Sequence, residues 1–272
     1  MRPLSSFLVT TAILNHTLLA PVWANERTLA RARQLYNAGN QDAAIAAAQT
    51  ARNDAKVANA ASIVLARAYL ERFRVTANRQ DLDAAREALQ SVQPARLAPR
   101  DRLDLAVGFG EALYLDGEYG AAAEIFEPLL DAAAQLGPHA RERVIDWWAT
   151  ALDTEARARP VAERAPYYRR VVERMESELE RDTGLTVASY WLAAGALGMG
   201  DVTRAWQAAV AGWVRASLAP DRRAAARGDL DRLMLEAIIP DRVRTLLLPS
   251  REIAAATSGM RNEWELVKQR WK

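Results

Sequence analysis

The sequence contains no cysteine. Disulfide bonds, thiolate nucleophiles, thiolate metal ligands and a lipid-modified cysteine anchor are therefore excluded. Histidine occurs twice, as His16 and His139, so a metal centre built on histidine pairs is not expected. His139 follows Pro138 at a predicted helix start, where a lone histidine is most often a surface or capping residue. We predict no metal site and no cofactor.

Glycine and proline are sparse, with 13 and 11 residues in a chain of 272. The sequence has no glycine-rich phosphate loop and no nucleophile elbow, which excludes the enzyme classes built on those motifs. Half of the residues are apolar, alanine dominates, and the apolar spacing follows the 3.6-residue period of a helix. Runs of β-branched residues are short. We therefore predict an all-α protein.

Carboxylates are the remaining groups with catalytic potential. Three close pairs occur, namely Asp81 and Asp83, Asp101 and Asp104, and Asp229 and Asp231. Each pair stands beside a predicted helix start, where acidic side chains cap free N–H groups and complement the helix dipole. We expect this structural role and predict no catalytic residue, while carboxylate-only chemistry such as sugar hydrolysis stays open.

Charge is nearly balanced, with 36 basic and 34 acidic residues, and almost all of the basic residues are arginine. Two clusters have the charge to meet phosphate. They are Arg164, Arg169, Arg170 and Arg174, and Arg222, Arg223 and Arg227. Acidic residues are interleaved with both clusters at helical spacing, which is typical of a solvated helix face with ion pairs one turn apart. We predict no nucleic-acid partner.

The N-terminus has the anatomy of an export signal. Arg2 precedes an apolar stretch over residues 7–19, and Val22-Trp23-Ala24 offers the small residues that a signal peptidase requires. We predict a signal peptide over residues 1–24 and a periplasmic or secreted protein that begins at Asn25. A retained membrane anchor and a first core helix are the alternatives. No later stretch approaches the roughly 20 apolar residues of a membrane span.

The clearest internal pattern lies in FGEALYLDGEYGAAAEIFEPL, residues 109–129. Gly110 and Ala122 supply two small side chains at which antiparallel helices can cross closely. Gly117 stands between them, where the first helix can end in a left-handed turn. The apolar residues expected to fill the seam between the helices are Leu113, Phe126 and Leu129.

The same spacing of small and apolar residues recurs along the chain. One unit uses Ala32, Leu35, Gly39 and Ala44, and another uses Ala193, Ala196, Gly200 and Ala205. In the unit built on Ala66 and Ala85 the small positions are 19 residues apart, whereas Gly110 and Ala122 are 12 residues apart. We expect residues 72–80 to hold the extra ones. A fourth unit, around Trp147 and Tyr167, lacks the turn glycine.

These units resemble the tetratricopeptide repeat (TPR), a helix–turn–helix unit of 34 residues. The same number of residues separates Ala32 from Ala66. The resemblance covers roughly residues 26–218. It implies a right-handed α-solenoid of about five degenerate repeats over residues 25–218, closed by C-terminal capping helices over residues 219–272.

The C-terminal part carries its own pattern. We expect a strong apolar helix over residues 230–239, broken at Pro240, and a last helix with an apolar stripe. Tryptophans concentrate in the second half of the chain, as Trp147, Trp148, Trp191, Trp206, Trp213, Trp264 and Trp271. Core packing is the expected role, and a sugar-stacking platform is the alternative.

In TPR solenoids the first helix of each repeat lines a concave groove. The resemblance places a partner-binding site on Arg33, Tyr36, Arg67, Leu70, Asp104, Glu111, Tyr114 and Tyr190. Tyrosine, arginine and aliphatic side chains are types that anchor interfaces. For several of these residues, packing on the neighbouring repeat is the alternative.

From these patterns we expect a protein-interaction scaffold or adaptor in the bacterial cell envelope rather than an enzyme. Its partner would be another envelope protein or an extended peptide segment. A polysaccharide-handling or enzyme accessory module and a small-ligand carrier are the rival functions. The sequence leaves the oligomeric state and the identity of the partner open.

Overall fold

The computed structural model describes residues 22–132, 135, 137–221 and 223–272. Throughout these ranges the regular structure is helical, without a strand, as the period of the apolar residues predicts. Residues 1–21 of the predicted signal peptide lie outside the described part, and so does the side chain of His139. Within the described part, no helix has both the length and the apolar character needed to cross a bilayer.

The first part of the described chain consists of helix pairs joined by short connections. They are α1 (Val22–Asn37) with α2 (Gln41–Ala51), α3 (Ala58–Thr76) with α4 (Arg79–Gln90), α5 (Pro99–Asp116) with α6 (Tyr119–Phe126) followed by the single turn α7 (Leu129–Ala132), α8 (Pro138–Ala158) with α9 (Ala165–Arg181), and α10 (Thr186–Gly198) with α11 (Val202–Arg215). The two members of each pair pack on each other.

Contacts between pairs follow the order of the chain. Helix α1 packs on α3, α3 on α5, and α8 on α10, so the first helices of successive pairs lie side by side. Between the third and fourth pairs, α6 and α7 also pack on α8. This arrangement gives a repeat-like packing in which each pair covers the apolar face of the next.

Three glycines end the first helices of their pairs in the same way. Gly39, Gly117 and Gly200 all have left-handed backbones, with φ of 75°, 90° and 82°. At Gly117 the N–H donates to the carbonyl of Tyr114, and the next N–H, of Glu118, donates to Leu113. This double closure is the Schellman motif, and the same two bonds occur at Gly39 and Gly200. The predicted turn glycines are confirmed.

The second pair reaches the same turn without glycine. Ala77 follows α3 with φ of 54°, and its N–H donates to the carbonyl of Phe73. The extra residues of this unit do not form a loop over residues 72–80. They lengthen α3 to Thr76, and α4 resumes at Arg79 after two residues. Helical propagation adds one hydrogen bond for each added residue, which a loop does not.

Small residues lie where the helices approach one another. Those with no exposed surface include Ala32, Ala44, Ala66, Ala85, Ala122, Ala193, Ala196 and Ala205. The atoms nearest to Gly110 belong to Phe126. A Cβ atom placed on Gly110 would lie 2.5 Å from Cε1 of Phe126, so the glycine makes room for that buried ring. Its role in a close crossing holds, but the group that it accommodates is aromatic.

The buried apolar residues form three clusters that follow one another along the chain. The first extends from Leu29 to Ala112, the second from Val107 to Trp191, and the third from Ala193 to Trp264. Most of the tryptophans belong to these clusters. Trp148, Trp191, Trp206, Trp213 and Trp264 are all less than one-tenth exposed. Their predicted packing role is confirmed for these five residues.

The C-terminal part consists of α12 (Arg223–Leu233), a π-helical turn over Met234–Ile238, α13 (Ile239–Thr245) and α14 (Ser250–Arg270). The predicted break at Pro240 is wrong, because the chain stays helical through it. The N–H of Ile239 donates to the carbonyl of Met234, five residues earlier. This wider turn stands just before Pro240, which has no N–H to donate to the preceding turn.

The predicted roles of the carboxylate pairs hold only in part. Asp81 and Asp101 lie in the first turns of α4 and α5, as expected. Asp229 and Asp231 instead lie in the second half of α12. Asp231 accepts hydrogen bonds from the Trp264 indole at 2.7 Å and the Lys268 ammonium at 2.8 Å, so it attaches α14 to α12.

Candidate partner-binding groove

Three adjoining depressions lie along the first helices of the pairs. The arginine cavity, of about 230 Å³, lies among α1, α3, α5 and the start of α8. The aromatic cavity, of about 240 Å³, lies among α3, α5, α6 and α8. The acidic cavity, of about 660 Å³, lies among α8, α10 and α12. Arg143 lines the first and third, and Asp146 and Thr150 line the second and third. Together they form one groove.

Arg67 is the centre of the arginine cavity. Its guanidinium group donates to both carboxylate oxygens of Glu111, at 3.3 and 3.4 Å, and to Asp104 at 3.4 Å. It also lies over the ring of Tyr36, with 5.2 Å from Cζ to the ring centroid. Arg33 pairs with Asp101 at 2.7 Å on the outer rim. The network therefore connects α1, α3 and α5.

Burial governs the electrostatics of this network. Only 6% of Glu111 is exposed, and burial raises the pKa of its carboxyl group although Arg67 opposes the shift. Burial likewise raises the pKa of Asp104 and of the Tyr36 phenol. The hydroxyl of Tyr36 is buried and has no hydrogen-bond partner among the described residues. Arg67 is therefore the counter-charge that favours the ionised form of Glu111 against the effect of burial.

The aromatic cavity has a mainly apolar floor. Tyr114, Phe126 and Trp147 line it together with Leu70 and Leu115. The rings of Phe126 and Trp147 lie 5.8 Å apart between centroids. Carboxylates occupy its edges, from Glu71, Glu111 and Asp146. An apolar hollow with polar edges suits the capture of a large apolar group.

The acidic cavity collects carboxylates from two helices. Asp146 and Asp153 come from α8, and Asp229 comes from α12. Asp146 accepts a hydrogen bond from the Trp191 indole N–H at 2.7 Å. Burial raises the pKa of the Tyr190 phenol, and the nearby carboxylates of Asp153, Asp229 and Asp146 raise it further. This end of the groove therefore has a negative potential.

All eight sequence-predicted groove residues line these cavities. Arg33, Tyr36, Arg67 and Asp104 line the arginine cavity, Leu70, Glu111 and Tyr114 line the aromatic cavity, and Tyr190 lines the acidic cavity. Their accessibility differs. Leu70 is 1% exposed and Glu111 is 6% exposed, so these two residues support the groove wall and offer little surface to a partner.

Sequence reasoning missed the contribution of α8. This helix lines all three cavities through Arg143, Asp146, Trp147, Thr150 and Asp153. A signal was present, because residues 143, 146, 150 and 153 recur at helical spacing and share one polar face. The fourth unit lacks the turn glycine that aligns the other units with one another. Its helices therefore could not be aligned with theirs, and this face of α8 was not assigned to the groove.

Among the described residues, no three His, Asp or Glu side chains come together as metal ligands would. Two arginines of the first arginine cluster are paired with carboxylates, Arg170 with Glu124 at 3.0 Å and Arg174 with Asp131 at 2.9 Å. The chain matches no protein-family model and shows no significant match to a curated protein.

Proposed function

We propose that this chain is a TPR-like α-solenoid that acts as a protein-interaction scaffold and holds a partner protein or an extended peptide in its groove. The observation that carries the proposal is the position of the three cavities. They adjoin one another and are lined by the first helices α1, α3, α5, α8 and α10. The recurring Schellman turns and the serial core clusters support the solenoid assignment.

The lining also has the composition of an interface. Tyr114, Trp147 and Tyr190 are partly buried aromatic side chains within the groove. Such residues bind a partner with a small loss of conformational entropy, and together with arginine they dominate interface hot spots. Arginines and carboxylates surround them, as in the polar rim that surrounds an interface core.

A protein partner is favoured over a polysaccharide by the tryptophans. A sugar-binding platform requires exposed aromatic faces in a row, whereas Trp148, Trp191, Trp206, Trp213 and Trp264 are core residues. The aromatic cavity also adjoins the acidic cavity, with which it shares Asp146 and Thr150. An open groove suits an extended chain better than a small ligand, which needs most of its surface enclosed.

We place this scaffold in the bacterial envelope on the strength of the sequence. The export signal over residues 1–24 predicts a mature chain that begins at Asn25. N-terminal sequencing of the protein recovered from envelope fractions tests this assignment. Recovery of a soluble cytoplasmic protein that still begins with Met1 would contradict it.

The groove is tested by replacing Tyr114 with alanine and measuring capture of partners from envelope extracts. Tyr114→Ala should weaken capture of the bound partner by about 2 kcal/mol or more, as loss of an aromatic anchor does. Tyr69→Ala is the matched control. Tyr69 is also a partly buried tyrosine on a first helix, but its hydroxyl bonds Gln49 on α2 at 3.1 Å, and it lines none of the three cavities.

Thermal melting of both variants separates folding from binding. The proposal fails at Tyr114 if the folded fraction of Tyr114→Ala captures partners as well as the unmodified protein does. It also fails if Tyr69→Ala weakens capture equally, because the effect would then not be specific to the groove.

A further inference from the structure

Charge is distributed unevenly along the groove. In the arginine cavity, Arg33 pairs with Asp101, and Arg67 pairs with Asp104 and Glu111. The exposed side chains of Arg100 and Arg143 complete the lining. Within the described part of the chain, neither forms an ion pair with a carboxylate. This end therefore offers two positive charges to a ligand.

The opposite end offers negative charge. Asp146, Asp153 and Asp229 line the acidic cavity around Tyr190. Asp153 pairs with Arg157 on the same helix at 3.0 Å, and Asp229 pairs at 3.6 Å with Arg232. Both arginines are mostly exposed, so water screens these pairs and weakens them. Asp146 accepts a hydrogen bond from the neutral indole of Trp191, and burial raises the pKa of its carboxyl group.

Along α8, the residues that line the aromatic cavity, Asp146, Trp147 and Thr150, lie between Arg143 and Asp153. The cavity floor of Tyr114, Phe126, Trp147 and Leu115 surrounds about 240 Å³, a volume suited to one large apolar side chain. Helix α8 sets a minimum length for a ligand that contacts both charged ends of the groove, because Arg143 and Asp153 lie ten residues apart on this helix. At 1.5 Å per residue this span is about 15 Å. An extended peptide covers it with about five residues at 3.3 Å each.

We propose that the groove binds an extended peptide segment with an acidic residue, a large apolar residue and a basic residue in that spatial order. The acidic residue meets Arg100 and Arg143, the apolar side chain enters the aromatic cavity, and the basic residue meets Asp153 and Asp229. The acidic and basic positions are at least about five residues apart. Charge complementarity fixes the register and orientation of the segment, as it does at other interfaces. This inference rests on the proposed scaffold function.

The test uses a phage-displayed library of random dodecapeptides, selected on the immobilised full chain at low ionic strength. We expect the enriched peptides to carry the acidic, apolar and basic residues in one consistent order with the stated spacing. Synthetic peptides with fluorescein labels then give dissociation constants. Asp229→Lys should weaken a selected peptide about fivefold or more, since an attraction becomes a repulsion. Exchanging the basic residue of that peptide for glutamate should restore binding to the variant.

Glu87→Lys is the matched control, because Glu87 is exposed on α4 and lines none of the three cavities. It should leave the dissociation constant unchanged. If enriched peptides depend on Tyr114 but show no order of charges, this inference is overturned and the groove function stands. If they bind Tyr114→Ala normally, the groove function itself is overturned. A library that yields no enriched peptide overturns both.

Discussion

Replacing Gly110 with alanine tests a close helix contact in the third helix pair. Gly110 lies in α5, and an added Cβ would stand 2.5, 2.7 and 2.9 Å from three ring atoms of Phe126. Carbon atoms in contact are normally about 3.5–4.0 Å apart. Phe126 has no exposed surface, and its ring also packs on Trp147. The ring therefore must move away from both Gly110 and its present packing.

The expected free-energy change combines two opposing terms. Alanine in a helix interior is favoured over glycine by about 1 kcal/mol. Overpacking of a buried site costs about 1–3 kcal/mol. The three short distances and the disturbed contact with Trp147 place the cost at the upper end of that range. The free energy of unfolding should therefore fall by about 2 kcal/mol.

Urea denaturation followed by circular dichroism measures this change. Gly259→Ala is the control, because Gly259 lies within α14 and an added Cβ there meets no atom within 4 Å. It should raise the free energy of unfolding by up to about 1 kcal/mol. Adding Phe126→Leu to Gly110→Ala should recover part of the loss, since the shorter side chain frees space. If Gly110→Ala is as stable as Gly259→Ala, the close crossing is refuted.

Further predictions concern two left-handed turns and the buried ion pair. Ala77→Gly should stabilise the protein by about 0.5–1 kcal/mol, because Ala77 has φ of 54°. Gly117→Ala should cost about 1 kcal/mol for the converse reason, and equal denaturation midpoints would contradict both. Arg67→Met should cost about 3–5 kcal/mol, since it leaves Glu111 buried without its cation. In the unmodified protein Arg67 lowers the pKa of Glu111 against the effect of burial, so without Arg67 this pKa is higher and the folded variant binds a proton at a higher pH than the folded unmodified protein does. The variant's deficit should therefore shrink as pH falls from neutral towards about 4.5, and a deficit that grows would refute this role.

The turns and the helical period could be predicted from short stretches of sequence. Gly39, Gly117 and Gly200 each stand at the end of an amphipathic segment, and only a glycine enters a left-handed turn without steric cost. Each Schellman closure involves six consecutive residues, so the information that specifies it is local. The left-handed turn at Ala77 was not predicted, because alanine is not typical of left-handed turns.

The placement of the C-terminal carboxylates could not be predicted in the same way. Asp229 and Asp231 follow Arg227-Gly228, where an acidic residue after glycine is also consistent with a helix start. In the fold they lie inside α12, where Asp231 bonds Trp264 from α14 and Asp229 faces the groove. Trp264 and Asp231 are 33 residues apart, and the spacing of neighbouring residues does not predict a contact over that distance.

The sequence by itself determined the helical class, the succession of pairs and the face of each first helix that carries Arg33, Arg67 and Tyr114. These features depend on the 3.6-residue period and on turns of a few residues, which the chain encodes locally. Only the tertiary structure decided that Gly110 accommodates the Phe126 ring and that α8 supplies much of the groove. Both depend on how distant helices pack, because the neighbours of a side chain are set by the whole core rather than by adjacent residues.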